Sequence, residues 1–180
     1  MIARTPTLLA PIDPPNHSRR KALAALSIAG CAGALVLFIF PGLKLFLFAR
    51  AAARLASLFL GTPVFRGEQG WLLPSSHEPV LVSGACSGSD FWLMVASLLA
   101  WHLARRGTSA TCTIVAALLC AIPVSIAVNS IRISAVVQAH RWFIPLWPES
   151  YAPFFHQLTG VTVFLPSLII FHGLLEKYRS

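Results

Sequence analysis

The sequence predicts an all-helical integral membrane protein. Of its 180 residues, 56% are hydrophobic and only 11% are charged, whereas charged residues make up about a quarter of a soluble domain. A helix that crosses the hydrocarbon needs about 20 mostly apolar residues. We therefore expect about four spans within a single membrane domain that covers residues 19–180. The predicted spans are residues 22–41, 89–104, 111–132 and 157–175.

The chain begins with a proline-rich stretch, residues 1–18, which we expect to form a disordered cytoplasmic tail. The first span follows a basic cluster, as a signal peptide does. It is long for the apolar region of a signal peptide, and its end at Phe38-Ile39-Phe40 has no small-x-small cleavage site. We expect this span to remain as an uncleaved anchor.

Residues 43–60 are apolar but carry Lys44, Arg50 and Arg54. Three cations at the bilayer centre would be too unfavourable, and at about 100° per residue they fall on one side of a helix. The pattern predicts an interfacial helix. A re-entrant segment is the alternative left open.

The short loops carry their basic residues in a pattern that orients the chain. With four spans, the clusters Arg19-Arg20-Lys21, Arg105-Arg106 and Lys177 with Arg179 fall on one side, which the positive-inside rule assigns to the cytoplasm. The shortest span, 89–104, can end at the headgroups because Arg105 and Arg106 can extend to water. This pattern predicts a bacterial inner-membrane protein with both termini cytoplasmic, and the net charge of +8 requires no nucleic-acid partner.

The outer loop, residues 61–88, contains two short apolar runs, Trp71–Leu73 and Val80–Val82, separated by turn-forming residues. This pattern predicts a small hairpin over the membrane face. The second run leads into Cys86, where Gly84 and Gly88 allow the backbone to turn tightly. A hairpin here would place a cysteine immediately before the second span.

Three reactive side chains lie at the outer ends of the predicted spans. Cys86 precedes the second span, Arg132 ends the third and His156 precedes the fourth. A cysteine, a histidine and an arginine are the nucleophile, base and oxyanion stabiliser of acyl transfer. A helix N-terminus and a nearby cation both favour the thiolate form of a cysteine. Asn129 lies one turn before Arg132 on the same helix face.

These residues resemble a known family. Ala85-Cys86-Ser87-Gly88, Asn129-x-x-Arg132-Ile133, and His156 followed by Gly160 are similar, in order and spacing, to the signature of the exosortase and archaeosortase family. The short chain looks most like the small exosortase K subgroup. The chain differs from many larger exosortases in two places. They have a glutamate two residues before the cysteine, where this chain has Gly84, and Leu-Arg after the Ser-Gly that follows the cysteine, where this chain has Ser89-Asp90.

The resemblance implies a multipass cysteine transpeptidase or protease. Such enzymes are thought to cleave carboxy-terminal sorting signals made of a short motif, a transmembrane helix and a basic tail, on membrane-tethered secreted proteins. When the roles known for the family are applied to the matching positions of this chain, Cys86 is the nucleophile, His156 the proton-transfer residue and Arg132 the oxyanion stabiliser. Asn129, Ser87 and Gly88 are the supporting residues of the site. The resemblance requires no metal or cofactor, and it leaves the acceptor open among an amine, a glycan or lipid group, and water.

Several alternatives remain. A non-enzymatic membrane-assembly or lipid-binding protein would use its tryptophans only as an interfacial belt. A disulfide-generating oxidoreductase needs a second outer cysteine, and metal binding is disfavoured because the outer histidines lack two-ligand helical spacing. His77 and His140 are also on the outer side, with His156 favoured by position. The other cysteines, Cys31, Cys112 and Cys120, are expected to be buried hydrophobic residues.

Overall fold

The computed structural model describes residues 17–40, 42–75, 79–106, 109–142 and 152–178. For residues 17–19 and 152–153 it describes the backbone and not the side chains. The predicted tail therefore lies almost entirely outside the described residues, as do His77 and the loop before the last helix. The described chain is mostly helical. Its long helices are α1 His17–Ile39, α3 Ser89–Ala104, α4 Ala110–Trp142 and α5 Ala152–Lys177, and a short helix, α2 Arg50–Leu60, follows a π-helical turn Lys44–Ala49.

Within the described ranges, three helices are long and apolar enough to cross a membrane: Arg20–Ile39 within α1, Ala110–Trp142, and Phe154–Lys177 within α5. Helix α3 has 16 residues, fewer than the usual length of a spanning helix. The predicted span 89–104 thus remains a prediction.

The helices share a basic end. Lys21, Ala104 and Ala110 line one cavity there, and Arg106 Nη2 donates to the carbonyl oxygen of Tyr178 at 3.2 Å. The start of α1, the end of α3, the start of α4 and the end of α5 therefore lie together. This grouping agrees with the loop charges that the sequence placed on one side.

Small residues allow α1 to approach α3 closely. Ala25 and Ala29 pack with Ala100 of α3 and Ala117 of α4, and a Cβ atom at Gly33 would lie 2.6 Å from Leu93 Cδ2. Transmembrane helices commonly pack in this way, because without water the attraction comes from close van der Waals contact.

The segment 43–60 lies against the end of the molecule opposite the basic end. Phe48 and the alanines Ala49, Ala52, Ala53 and Ala56 are buried, whereas Arg54 is exposed. The guanidinium of Arg50 lies 5.5 Å from the centre of the Trp71 ring. The inner face of the segment is thus apolar, but Lys44 and Arg50 are only partly exposed, and the outer face also carries the exposed side chains of Leu58 and Phe59. The predicted position of this helix at the membrane interface remains a prediction.

A three-stranded antiparallel sheet covers α2 and the far half of α4. Its strands are β1 Phe65–Arg66, β2 Gly70–Leu73 and β3 Val80–Ser83, in the order β1-β2-β3. The pairing of β2 with β3, with Leu73 opposite Val80, confirms the predicted hairpin. Strand β1 was not predicted because two residues are too short to show an alternating pattern.

Two helices extend beyond the predicted spans. Helix α4 continues past Arg132 to Trp142, and α5 begins at Ala152, so that His156 lies inside its second turn. The predicted limits followed from bilayer thickness, whereas a helix ends only where its backbone hydrogen bonds end. Arg132 and His156 are therefore both held by regular helix, not by loops.

Candidate active site

Cys86 is presented by a short loop between the sheet and α3. Strand β3 is followed by a 3₁₀ turn, Gly84–Cys86, and α3 begins at Ser89. Gly88 closes the loop with φ +76°, a left-handed conformation, and a Cβ atom there would lie 2.8 Å from Asn129 Cβ. Glycine is thus required at this position for two reasons: the left-handed backbone conformation disfavours other residues, and there is no room for a side chain.

Helix α4 holds this loop through two buried side chains one turn apart. Asn129 Nδ2 donates to the carbonyl oxygen of Cys86 at 2.8 Å, and Ser125 Oγ donates to that of Gly88 at 2.9 Å. Inside the loop, Ser87 Oγ accepts from the backbone N–H of Ser89 at 3.3 Å.

His156 is the histidine that lies at the thiol. Its Nε2 atom is 3.2 Å from Cys86 Sγ, across a sequence separation of 70 residues. Ser83 Oγ lies 4.0 Å from the same sulfur. The distance from sulfur to nitrogen is within reach for direct proton transfer.

Arg132 contacts the same imidazole nitrogen. Its Nη2 atom is 2.8 Å from His156 Nε2. Because a guanidinium has no acceptor lone pair, Arg132 donates and Nε2 accepts, which places the proton of a neutral His156 on Nδ1. The unprotonated Nε2 atom of His156 therefore faces both the Cys86 thiol and the Arg132 guanidinium.

The guanidinium of Arg132 is enclosed by α5. The side chain is 8% exposed, its centre lies 5.2 Å from the Phe164 ring, and a Cβ atom at Gly160 would lie 3.3 Å from Arg132 Nε. Among the described residues, the buried Nε atom has no hydrogen-bond partner. A cationic group with an unused N–H donor is thus held beside the thiol.

Comparison with known families gives one decisive result. The model of the transmembrane exosortase family matches residues 17–173, most of the chain. The chain belongs to the transmembrane exosortase family. The match extends from α1 into α5 and includes Cys86, Asn129, Arg132 and His156. No curated protein and no solved structure matches the chain.

An apolar groove leads away from the site of this exosortase. A cavity of about 530 Å³ begins beside the site, at Gln157 and Gly160. It shares Met94 and Leu168 with a second cavity of about 600 Å³, which continues to His172. The groove runs along α3 and α5 from the site toward the basic end.

The structure brings together Cys86, Asn129, Arg132 and His156. The other two residues predicted for the site, Ser87 and Gly88, lie in the loop that follows Cys86. Sequence reasoning missed two residues that shape the site, Ser125 and Phe164, and it named Gly160 only as part of the signature that follows His156. The spacing of Ser125 and Asn129, four residues apart, was an available signal for a shared polar face. The remaining cysteines, Cys31, Cys112 and Cys120, are exposed on helix surfaces and not buried as expected.

Proposed function

We propose that the chain is a membrane-embedded cysteine transpeptidase or peptidase that cleaves a carboxy-terminal sorting signal through a thioester. The contact that carries the proposal is the 3.2 Å separation of Cys86 Sγ from His156 Nε2, with Arg132 donating to the same nitrogen. Membership of the exosortase family supports the reaction class. The catalytic roles of the three residues are part of the proposal.

The reaction begins when His156 Nε2 takes the proton of the Cys86 thiol. The thiolate attacks the carbonyl carbon of the substrate, and the negative charge that develops on the carbonyl oxygen is stabilised by the Arg132 guanidinium. Collapse breaks the peptide bond, and His156 returns its proton to the departing amine. An amine, another nucleophilic group or water then attacks the thioester and releases Cys86.

Arg132 makes the first step dependent on substrate. The Nε2 atom has one lone pair, and the N–H of Arg132 occupies it. Proton transfer from Cys86 therefore requires the guanidinium to leave Nε2. A substrate carbonyl oxygen beside Arg132 provides an alternative acceptor for the guanidinium. When the substrate binds, His156 Nε2 therefore becomes free to act as the base, and Arg132 moves to the oxygen on which negative charge develops.

The groove supports a substrate anchored in the same membrane. Its apolar lining, with Met94, Phe164, Leu165 and Leu168, would receive a transmembrane helix, and its outer end at Gly160 adjoins Arg132. A tethered substrate needs no three-dimensional search, which raises its effective concentration at the site. Cleavage would release the substrate protein from its anchor.

The distribution of basic residues supports the orientation we propose. The basic end lies on the cytoplasmic side of a bacterial inner membrane, both termini are cytoplasmic, and Cys86 faces the extracytoplasmic side. In this arrangement the site meets secreted proteins after translocation, where a sorting signal is first useful.

The test compares wild type with Cys86→Ser, His156→Ala and Arg132→Ala, expressed at matched levels in the native host. Carboxy-terminal mass spectrometry of membrane-anchored secreted proteins measures processing. We expect loss of one cleavage, by about 10³-fold or more for Cys86→Ser and about 10²–10³-fold for Arg132→Ala, with the anchored precursor accumulating. The mass of the new carboxy terminus distinguishes hydrolysis from transfer.

Cys120→Ser is the matched control, because this cysteine is exposed on α4 and lies away from the site. It should process substrates like wild type. Unchanged processing in Cys86→Ser would overturn the proposal and favour a non-enzymatic assembly or lipid-binding role.

A further inference from the structure

A second cluster of reactive side chains lies at the basic end, away from the proposed reaction. His102 is in the last turns of α3 and is 5% exposed. His172 and Glu176 are one helical turn apart on α5, with His172 exposed and Glu176 half-buried. The three come from two helices, α3 and α5.

The geometry of this cluster fits a metal ion. His102 Nε2 and His172 Nδ1 are 3.2 Å apart, and two nitrogens bound to one tetrahedral zinc ion are separated by about 3.3 Å. One potential ligand atom from each of the three residues lies within 4.8 Å of the other two. We propose that His102, His172 and Glu176 form a binding site for a divalent transition-metal ion, zinc by its ligand set, that fastens α3 to α5.

The ligand types favour zinc over the hard cations. Two imidazole nitrogens and one carboxylate oxygen suit zinc, whereas magnesium and calcium prefer oxygen ligands alone. Ligands at positions i and i+4 of one helix face the same point, as His172 and Glu176 do. The exposed side of His172 leaves room for a solvent molecule as the fourth ligand.

Nearby cations compete with the metal but have other contacts. Arg105 Nη1 is 3.9 Å from Glu176 Oε1, and its guanidinium also lies 5.7 Å from the centre of the Trp101 ring. Arg106 bonds the backbone of Tyr178. Arg105 can therefore keep its place over Trp101 when Glu176 turns to a metal ion.

The metal would stabilise the helix that carries His156. Of the α5 residues whose side chains the structure describes, Gly160 alone is buried. A metal bridge between His102 and His172 would secure the other end of α5. This proposal is independent of the proposed function, because it concerns metal binding at the basic end and not the reaction at Cys86.

The test uses purified full-length protein in which the four native cysteines are replaced by serine, so that no thiol is an alternative zinc ligand. The protein is made metal-free with a chelator, reconstituted in nanodiscs and titrated with Zn²⁺ by calorimetry, and Co²⁺ is used as a spectroscopic substitute. We expect one Zn²⁺ per chain, a visible absorption band of tetrahedral Co²⁺, and a higher thermal midpoint with zinc. His172→Ala and Glu176→Gln should each weaken zinc binding at least tenfold.

His140→Ala is the control, since this histidine belongs to α4 near the opposite end, and it should bind zinc like the parent. Both test variants alter side chains that are not fully buried, so folding is preserved and their metal-free thermal midpoints provide the check. The absence of stoichiometric zinc binding, or equal affinity in His172→Ala and the parent, would overturn the proposal and leave a hydrogen-bonded histidine pair.

Discussion

Asn129 holds the peptide group of Cys86 without contacting its sulfur. Its Nδ2 donates to the carbonyl oxygen of Cys86, and the side chain is fully buried beside Gly88. Asn129 is thus a positioning residue, which sets where the thiol stands relative to His156.

Replacement of Asn129 by alanine should slow the reaction while the substrate still binds. Loss of the donor leaves a buried carbonyl unpaired, at about 1–3 kcal/mol, and the loop shifts away from His156. We expect kcat to fall roughly 5- to 100-fold with little change in KM. Steady-state cleavage of a membrane-tethered reporter measures both constants.

Ser134→Ala is the matched control, because Ser134 Oγ only bonds the carbonyl oxygen of Ser130 in its own helix. It should leave kcat unchanged. An equal decrease in the two variants would indicate a general disturbance of α4 and contradict a positioning role for Asn129.

A site residue can be recognised from the sequence when its side chain is unusual for its surroundings. Cys86, Arg132 and His156 were predicted to lie together because each is a reactive group at the edge of an apolar segment. Ser125 and Gly160 are ordinary residues in a transmembrane helix. Their roles depend on which helix face meets the loop or the guanidinium, and a single sequence with no defined helix rotation does not contain that information.

Helix α5 gives the proposed site its base and one wall. Gly160 lies against Arg132 while Phe164 covers the guanidinium. The same helix has a second glycine, Gly173, around which a Cβ atom would meet nothing within 4 Å. Alanine substitutions at these two glycines therefore distinguish a local effect on the site from a general effect on the helix.

Gly160→Ala should reduce activity without reducing stability. The new Cβ atom would lie 3.3 Å from Arg132 Nε, closer than most such contacts, so the guanidinium must shift from His156. We expect activity to fall about tenfold, the factor that corresponds to about 1.4 kcal/mol. Alanine also favours a helix more than glycine does, so the thermal midpoint should stay equal or rise.

Gly173→Ala supplies the comparison and should keep wild-type activity. Cleavage assays and thermal unfolding of both variants in nanodiscs make the measurement. Wild-type activity in Gly160→Ala would show that Arg132 tolerates the added methyl group and that Gly160 has no part in placing it.

At the scale of elements, turn residues and short apolar runs predicted the hairpin, whereas the interfacial position of residues 43–60 remains a prediction. The length of α4 was underestimated because composition marks where a helix leaves the hydrocarbon, and α4 continues beyond that point. The His172 and Glu176 pair was visible as helical spacing in the sequence. Its partner, His102, lies 70 residues earlier, so only the packing of α3 against α5 could reveal the cluster.

The whole molecule has two chemically different ends. The basic end contains Lys21, Arg105 and Arg106, and the opposite end contains the sheet and Cys86. The charge pattern predicted this separation because loop charges act on the chain as a whole. The number of spans was harder to predict, since α3 is short and α2 is apolar but cationic.

Cysteines placed at the two ends should be labelled from opposite sides of the membrane. We expect Glu68→Cys, in the exposed turn before β2, to react with an impermeant maleimide in intact spheroplasts. Arg106→Cys should react only after permeabilisation. Both substitutions are made in a background where the four native cysteines are serine, and labelling is measured by gel shift.

Labelling of both positions from one side would contradict the separation of the ends. Labelling of Arg106→Cys alone in intact spheroplasts would reverse the orientation and place Cys86 in the cytoplasm.

The sequence separation of Cys86 and His156 has a consequence for biosynthesis. The two residues stand 70 positions apart, and α5 leaves the ribosome after α1 to α4. A nascent chain that has inserted only the first four helices carries the thiol and the guanidinium with no imidazole between them. Under the proposed roles, the chain is inert toward neighbouring proteins during its own synthesis and acquires activity only when α5 has entered the membrane.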